Sequence, residues 1–255
     1  MRYSINGIYA DSTYLLQKLD ELGHIKDDKN PEIVFSIGGD GTILETVHKY
    51  MDIIDSIKIV GINYGKLGFY TDFSKDEIDS IIDLINSNKY EVSKFNFIEY
   101  QLETKDSNKV YYALNEVAIL SPIHTQIIEV YIDNCKFETF RGTGLIISTP
   151  TGSTAYNKSV GGSVMDPSIK SIQLAEIAPI NNRVYKTLSS PIVLASTSEV
   201  KLISNFKSTS ISYDGISEDC KDVMEIKIKL SNKSVSFITK ENTNFWDRVK
   251  KSFLN

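Results

Sequence analysis

The chain is short of the residues that dictate small, special folds. It has 2 cysteines in 255 residues, Cys135 and Cys220, far apart and without a CxxC or a histidine neighbour. That spacing argues against a disulfide framework and a structural zinc site. Its 3 histidines, His24, His48 and His124, lie outside every motif described below and read as surface or helix-packing residues. No apolar run approaches the roughly 20 residues of a membrane span. The opening MRYSINGIYADSTY holds no continuous apolar stretch, so no signal peptide is expected. A basic surplus is missing too. With 28 Lys and Arg against 33 Asp and Glu, the net charge of -5 speaks against a nucleic-acid binder. What remains is ordinary for a soluble globular protein: 41% apolar and 24% charged residues, enough for one large domain or two modest ones. A cytoplasmic protein with no membrane and no nucleic-acid partner is the simplest expectation.

The first third alternates strand and helix signals. Residues 2–5 suggest a short strand, and Leu15, Leu16, Leu19 and Leu22 recur at helical spacing. Ile33–Ile37 has a buried-strand pattern, after which Thr42 is a plausible N-cap for a helix to about Tyr50. Another strand is expected over 57–62, and an amphipathic helix over 75–88 with Ile78, Ile81, Ile82 and Ile85 on one stripe. This alternation implies a parallel α/β sheet. From about Tyr90 the period shortens. Strand-like runs at 97–104, 110–114, 116–120, 127–132, 136–140 and 144–148 are followed by helical stretches near 154–160 and 168–177. Strands resume at 191–195, 200–204, 209–213, 222–230 and 234–239, with turn tips expected at Asp133-Asn134 and Ser231-Asn232. The tail from Phe245 to Leu254 has helical spacing. The expected architecture is an N-terminal Rossmann-like α/β domain over 1–93 and a mainly antiparallel β-sandwich domain over 94–242. A C-terminal helix over 243–255 returns to the first domain.

Two segments carry chemistry. Gly38-Gly39-Asp40-Gly41-Thr42 stands between a strand and a helix, where glycines let the backbone turn and approach a ligand. A helix N-terminus offers N–H groups and a positive dipole end to phosphate. Asp40, flanked by small residues, can reach that ligand. In phosphoryl transfer such a carboxylate accepts the substrate hydroxyl proton or organises Mg²⁺. A tight structural turn with a capping Asp is the plainer alternative. The second segment, Ser148-Thr-Pro-Thr-Gly-Ser-Thr-Ala-Tyr156, follows the apolar run Leu145-Ile146-Ile147. It presents hydroxyls and backbone N–H groups, with Tyr156 as a stacking surface. Its plainer reading is a helix-capping loop. Neither segment is a GxxxxGK[ST] loop or a GxGxxG fingerprint.

Gly38–Thr42 is similar to the signature shared by the NAD kinase, diacylglycerol kinase and phosphofructokinase group. STPTGSTAY, with Asn157-Lys158-Ser159 and Gly161-Gly162 after it, resembles the NAD kinase family specifically. The match extends over Asn63-x-Gly65-x-Leu67-Gly68-Phe69, Leu114-Asn115-Glu116, Ile180-Asn181-Asn182-Arg183-Val184 and the closing Phe-Trp-x-Arg-Val, which resembles the compact Gram-positive type. The resemblance implies transfer of the terminal phosphate of ATP, or of polyphosphate, to the 2′-hydroxyl of the adenosine ribose of NAD, giving NADP. It implies an active site between the two domains, a divalent metal such as Mg²⁺, and a homotetramer formed through the β domains. Asp40 would bind or deprotonate the ribose hydroxyl, with Gly38, Gly39, Gly41 and Thr42 at the phosphates. Asn115 and Glu116 would serve ribose hydroxyls and the adenine edge, and Phe69 and Tyr70 would line the adenine pocket. Thr151 and Thr154 would supply hydroxyls, Ala155 room, Tyr156 a stacking ring, and Ser159 a further group in the same cavity. Ala178 and Ile180 would close the nicotinamide end, Arg141 would hold a phosphate of the product, and Asp214 would support the site.

One position departs from the family. Arg141-Gly142-Thr143-Gly144 has Thr143 where relatives carry an Asp that contacts the dinucleotide. Threonine keeps one hydrogen-bonding group and loses the charge. The change implies intact catalysis with altered hold on NAD. Two rival readings accompany the kinase: a catalytically silent dinucleotide-binding protein, against which Asp40 argues, and a lipid kinase of the same superfamily, which leaves the hydroxyl-rich segment without a purpose.

Overall fold

A computed structural model describes residues 1–7, 12–65, 68–206, 208–220, 222–241 and 243–254, which divide into two compact units. The first unit comprises Met1–Phe95 and the chain from Lys233 onward, and the second is Asn96–Asn232. In the first, β1 (Arg2–Gly7), β2 (Ile25–Lys26), β3 (Ile33–Ile37), β4 (Lys58–Asn63) and β5 (Phe73–Ser74) pair in parallel in the order β2-β1-β3-β4-β5. All five residues of β3 are buried, as expected for a strand covered on both faces. Helices α1 (Thr13–Glu21), α2 (Asp40–Lys49) and α3 (Ile78–Asn86) turn apolar stripes inward; α3 buries Ile78, Ile81, Ile82 and Ile85. With Tyr3, Ile5, Leu15, Leu19, Phe35 and Val60 these isoleucines form one core. The expected helix cap moves. Helix α2 starts at Asp40 with Gly39 as its cap, and Thr42 lies in its first turn. Gly38, at φ 155°, leaves room for Thr42, whose Oγ1 would stand 2.2 Å from a Cβ there.

The second unit is antiparallel. Its strands are β6 (Glu91–Thr104, continuing out of the first unit), β7 (Asn108–Ala113), β8 (Glu116–Leu120), β9 (Gln126–Ile132) and β10 (Cys135–Ser148). After α4 (Tyr156–Ser159) come β11 (Ser171–Pro179), β12 (Ile192–Ala195), β13 (Glu199–Ile203), β14 (Ser210–Tyr213), β15 (Ile216–Asp219) and β16 (Val223–Thr239). Side chains of β6 to β11, β13, β14 and β16 meet in one core that includes Tyr100, Ile119, Phe140, Ile147 and Tyr213. The Asp133-Asn134 turn is as expected: both residues have positive φ, 51° and 65°, in a two-residue hairpin loop. Strand β10 is the pivot of the unit. Its first half pairs with β9, its second half with β8, and β11 runs along its other edge.

Three expectations fail here. Residues 171–179 form strand β11 and not part of a helix. Ile172 and Leu174 face the main core while Ala175 and Ile177 face a second cluster, so both faces are buried and the period-2 signal is erased. The two runs within 136–148 are one strand, because Gly142 and Gly144 permit close packing rather than a break: a Cβ on Gly144 would lie 2.1 Å from the Ile119 carbonyl. Ser231-Asn232 is no turn either. Strand β16 passes straight through it, and Asn96 Nδ2 donates to the Ser231 carbonyl at 3.0 Å. The polar residues mark the passage from one unit to the other. In the first unit, Ser236 and Phe237 of β16 then pair in parallel with Lys58 and Ile59 of β4. Helix α5 (Phe245–Phe253) follows, capped by Asn244, whose side chain accepts from the Trp246 N–H at 2.9 Å.

Candidate active site

In the first unit, β3 delivers Gly38 to the N-terminal end of α2, with Gly38 N–H bonded to the Ile62 carbonyl at 2.9 Å. Asp40 is the first residue of that helix, where the dipole favours a negative group. A hydroxyl network fixes the turn behind it: Ser36 Oγ lies 2.8 Å from Thr46 Oγ1, which donates to the Thr42 carbonyl at 2.7 Å. Gly39 and Gly41 have open space where a side chain would stand, so a ligand can reach their backbone. Asp40 is held from the other side by the loop that follows β4. Its Oδ2 accepts from Phe69 N–H at 2.9 Å and its Oδ1 from Tyr70 N–H at 3.0 Å. A Cβ on Gly68 would lie 2.3 Å from Asp40 Oδ1, so that contact requires glycine. Leu67, part of the same motif, lies outside the described residues. The rings of Phe69 and Tyr70 have other neighbours. Tyr70 is buried and stacks on Phe237 at 5.5 Å, and Phe69 packs on Phe245 and Phe253 of α5.

In the second unit, the Asn115–Glu116 corner, the hydroxyl-rich segment and Asp214 come together. Asp214, at φ 47° in the β14–β15 turn, accepts from Leu114 N–H and Asn115 N–H, both at 2.7 Å. Thr149 Oγ1 donates to the Leu114 carbonyl at 2.6 Å and lies 2.9 Å from Thr151 Oγ1. Gly152 is pressed on Asn115; a Cβ would stand 2.0 Å from its carbonyl oxygen. Ser153 Oγ donates to the Pro150 carbonyl at 2.6 Å, and Thr154 Oγ1 to the Thr151 carbonyl at 3.3 Å. Much of the hydroxyl chemistry of this segment is therefore internal and structural. The segment is a 3₁₀ turn over Thr151–Thr154 that leads into α4, with Thr151 and Thr154 buried, Ala155 half-buried, and Tyr156 and Ser159 exposed.

Glu116 is the unusual group. It is 8% exposed, and its Oε2 has no hydrogen-bond partner among the described residues. Burial pushes its carboxyl up to about 8; the Asp214 charge adds to this, and a bond from the Tyr156 N–H opposes it.

A third group lies where β10 changes partner. A cleft of about 210 Å³ is lined by Thr143, Ser121, His124, Thr125, Ala178 and Ile180. Ala178 sits at φ 46°, a backbone state uncommon for alanine, where the chain leaves β11. Arg141 places its guanidinium over the Tyr185 ring at 4.3 Å. His124 is exposed, as expected for a surface residue, and also borders this cleft. Among the described residues no group of 3 or more His, Cys, Asp or Glu could hold a metal ion. No described helix is long and apolar enough to cross a membrane. Gly68 and Gly152 stand in the quoted motifs, but their contacts with Asp40 and Asn115 lie across the chain and no local pattern reports them.

Residues 12–90 match the model of the ATP-NAD kinase N-terminal domain, and residues 107–240 that of the ATP-NAD kinase C-terminal domain. The chain belongs to the NAD kinase family. An NAD kinase of Lactobacillus helveticus is 40% identical over 242 residues, 94% of this chain and 90% of its own. The yeast NADH kinase solved with NADH superposes with a TM-score of 0.86 at 21% identity, covering 100% of this chain and 87% of its own. An NAD kinase from Archaeoglobus fulgidus solved with ATP has a TM-score of 0.78 at 26% identity, covering 94% of each chain. The NAD kinase fold thus accounts for both units: the N-terminal α/β unit and the antiparallel C-terminal one.

Proposed function

We propose that the chain phosphorylates the 2′-hydroxyl of the adenosine ribose of NAD with the terminal phosphate of ATP, releasing NADP and ADP. Family membership supports the reaction, and the held Asp40 carboxylate at an open glycine turn is the observation that carries the mechanism. A carboxylate has about four lone-pair positions. Two are engaged by backbone N–H groups, which leaves acceptor capacity for the ribose hydroxyl proton as its oxygen attacks phosphorus. The N–H groups of Gly39, Gly41 and Thr42 at the start of α2 receive phosphate oxygens. In the second unit, the unpartnered Glu116 Oε2 and the Asn115 amide take ribose hydroxyls and the adenine edge, with Thr151, Thr154, Ala155 and Tyr156 around them. Ser159 stands beside them, and Asp214 fixes the Asn115 corner. Ala178, Ile180 and Thr143 take the far end of the dinucleotide, and Arg141 a phosphate of the product.

The residues do not fit an all-protein metal cage, since no carboxylate cluster is present among those described. Mg²⁺ therefore enters as part of the Mg·ATP substrate, bound largely by phosphates and water. The exposed apolar residues Ile180, Val184, Tyr185, Leu188 and Val193 of the second unit support a homotetramer assembled through β units. The protein works in the cytoplasm, where its substrates are. Purified protein with NAD, ATP and Mg²⁺, coupled to an NADP-specific dehydrogenase, tests the reading. Turnover that Asp40→Asn lowers by about 10²–10⁴-fold is expected; NAD binding without turnover in the unaltered protein defeats it.

A further inference from the structure

Helix α5 contributes no reactive group to the site described above, and none of its residues is fully buried. A nine-residue helix is marginal by itself in water. What it does hold is one loop. Phe245 and Phe253, on one stripe of α5, flank the Phe69 ring at centroid distances of 6.0 and 5.9 Å. Between them Arg248 reaches in, its side chain only 13% exposed, and its guanidinium forks. One nitrogen donates to the Phe69 carbonyl and the other pairs with the buried Asp72 carboxylate. The same loop presents Phe69 N–H and Tyr70 N–H to Asp40, and its Gly68 abuts the Asp40 carboxylate. Phe69 is thus gripped on its carbonyl and ring by α5 while its N–H grips Asp40. Burial lowers the proton affinity of Arg248, and the nearby Asp40 charge opposes that shift. The two side chains therefore sense one another electrostatically.

We propose that Arg248 is a positioning residue for the phosphoryl transfer: the C-terminal helix sets the placement of the Asp40 carboxylate through the Gly68–Asp72 loop. This rests on the reading of Asp40 given above. The planar fork is essential, because a point charge can pair with Asp72 but cannot also satisfy the Phe69 carbonyl in the same geometry. A small misplacement of a catalytic group can cost about 10²-fold in rate. The substrate contacts made elsewhere are unaffected, so the loss falls on kcat rather than on KM for NAD.

The experiment measures kcat and KM for NAD, with thermal melting, on Arg248→Lys and on the double variant Arg248→Met with Asp72→Asn. The double variant leaves no buried charge unpaired. Expected is a folded double variant with kcat down about 10²-fold and KM for NAD within about twofold. Arg248→Lys, with charge and no fork, falls between it and the parent. If the double variant does not fold, Arg248→Lys alone carries the test. A folded variant with a lowered melting temperature and the parent's kcat overturns the proposal, since a purely structural role predicts that pattern. Asp40→Asn separates the two levels: an active Asp40→Asn removes the reading of Asp40 itself. An inactive Asp40→Asn beside a fully active double variant removes only the role of Arg248.

Discussion

Asp40, which opens helix α2 in the first unit, and Glu116, which opens strand β8 in the second, are both carboxylates in motifs that resemble one family, and their surroundings are opposite. Both Asp40 oxygens accept a backbone N–H, at 2.9 and 3.0 Å. Glu116 is buried with one oxygen that nothing in its unit satisfies, and its proton affinity is raised to about 8. The true counterpart of Asp40 in the second unit is Asp214, whose carboxylate also takes two successive backbone N–H groups, at 2.7 Å each. Each unit thus clamps one aspartate on a pair of neighbouring amides and so fixes a loop. In the first unit the clamped group is the proposed reactive one. In the second the clamp serves a neighbour, and the neighbour is left short of a partner. A buried polar atom without a partner needs an explanation. Under the function proposed above, a ligand hydroxyl would supply it.

The comparison breaks hardest at Asp40. Asp40→Asn keeps the size and one acceptor of the side chain and removes the base; kcat should fall by about 10²–10⁴-fold with the fold intact. Equal kcat in parent and variant would place the chemistry elsewhere. Next comes Gly152, which lets the hydroxyl-rich segment lie on the Asn115 carbonyl. Gly152→Ala puts a methyl group into that backbone contact and should cost about 1–3 kcal/mol of stability, read as a lowered urea midpoint. It should also raise KM for NAD, because the Asn115–Glu116 corner must move. An unchanged KM with an unchanged midpoint would show that the corner is slack.

Much of this was legible in the residues. The strand–helix alternation up to residue 88 reports a half that folds by local order, and Gly38–Thr42 falls between β3 and α2, though the helix begins two residues before Thr42. The antiparallel half was legible as strands and blurred in detail. Strand β11 hid because both of its faces are buried, and β10 and β16 were cut in two because glycines and polar residues mimic turns. Within 148–156 the hydroxyls of Thr149, Thr151 and Ser153 bond the protein's own backbone. Composition shows that hydroxyls are present, and only the fold shows which way they point. The grip of α5 on Phe69 was invisible, since it joins residues 179 apart in the chain.

Glu116 gives the sharpest solution test of the contrast. Its ordinary value is 4.5, and in the folded chain it is raised to about 8. Between those values the folded state holds a proton that the unfolded chain has released, so stability falls as pH rises through this window. The loss begins above the unfolded value and is complete once pH passes the folded one. It amounts to a few kcal/mol at most. Glu116→Gln removes the titration. Urea midpoints measured from pH 5 to 8.5 should decline in the parent and stay flatter in Glu116→Gln, and parallel curves would mean that Glu116 is ionised in the fold throughout. Above about pH 8, where the parent carboxyl is ionised, NAD binding should be weaker in the variant by about tenfold, because a charged acceptor for ribose hydroxyls becomes a neutral one; below that pH the two should bind alike.

The smallest effect is expected at Thr143, where the family resemblance leads one to expect an aspartate. Its backbone already works: the Thr143 carbonyl accepts from Ser121 N–H at 2.9 Å, which pins the β8 end of the cleft to β10. Its side chain is half-buried beside Ala178 and Ile180, so a carboxylate placed there would be partly screened by water. A fully buried charged hydrogen bond is worth about 1.5–3 kcal/mol; partial exposure should bring the gain toward about 1.4 kcal/mol, a factor of about ten in affinity. Thr143→Asp should therefore lower KM for NAD by up to about tenfold and leave kcat within about twofold. Isothermal titration with NAD alone reads the same change without turnover. An unchanged affinity would show that this cleft takes no part in holding the dinucleotide.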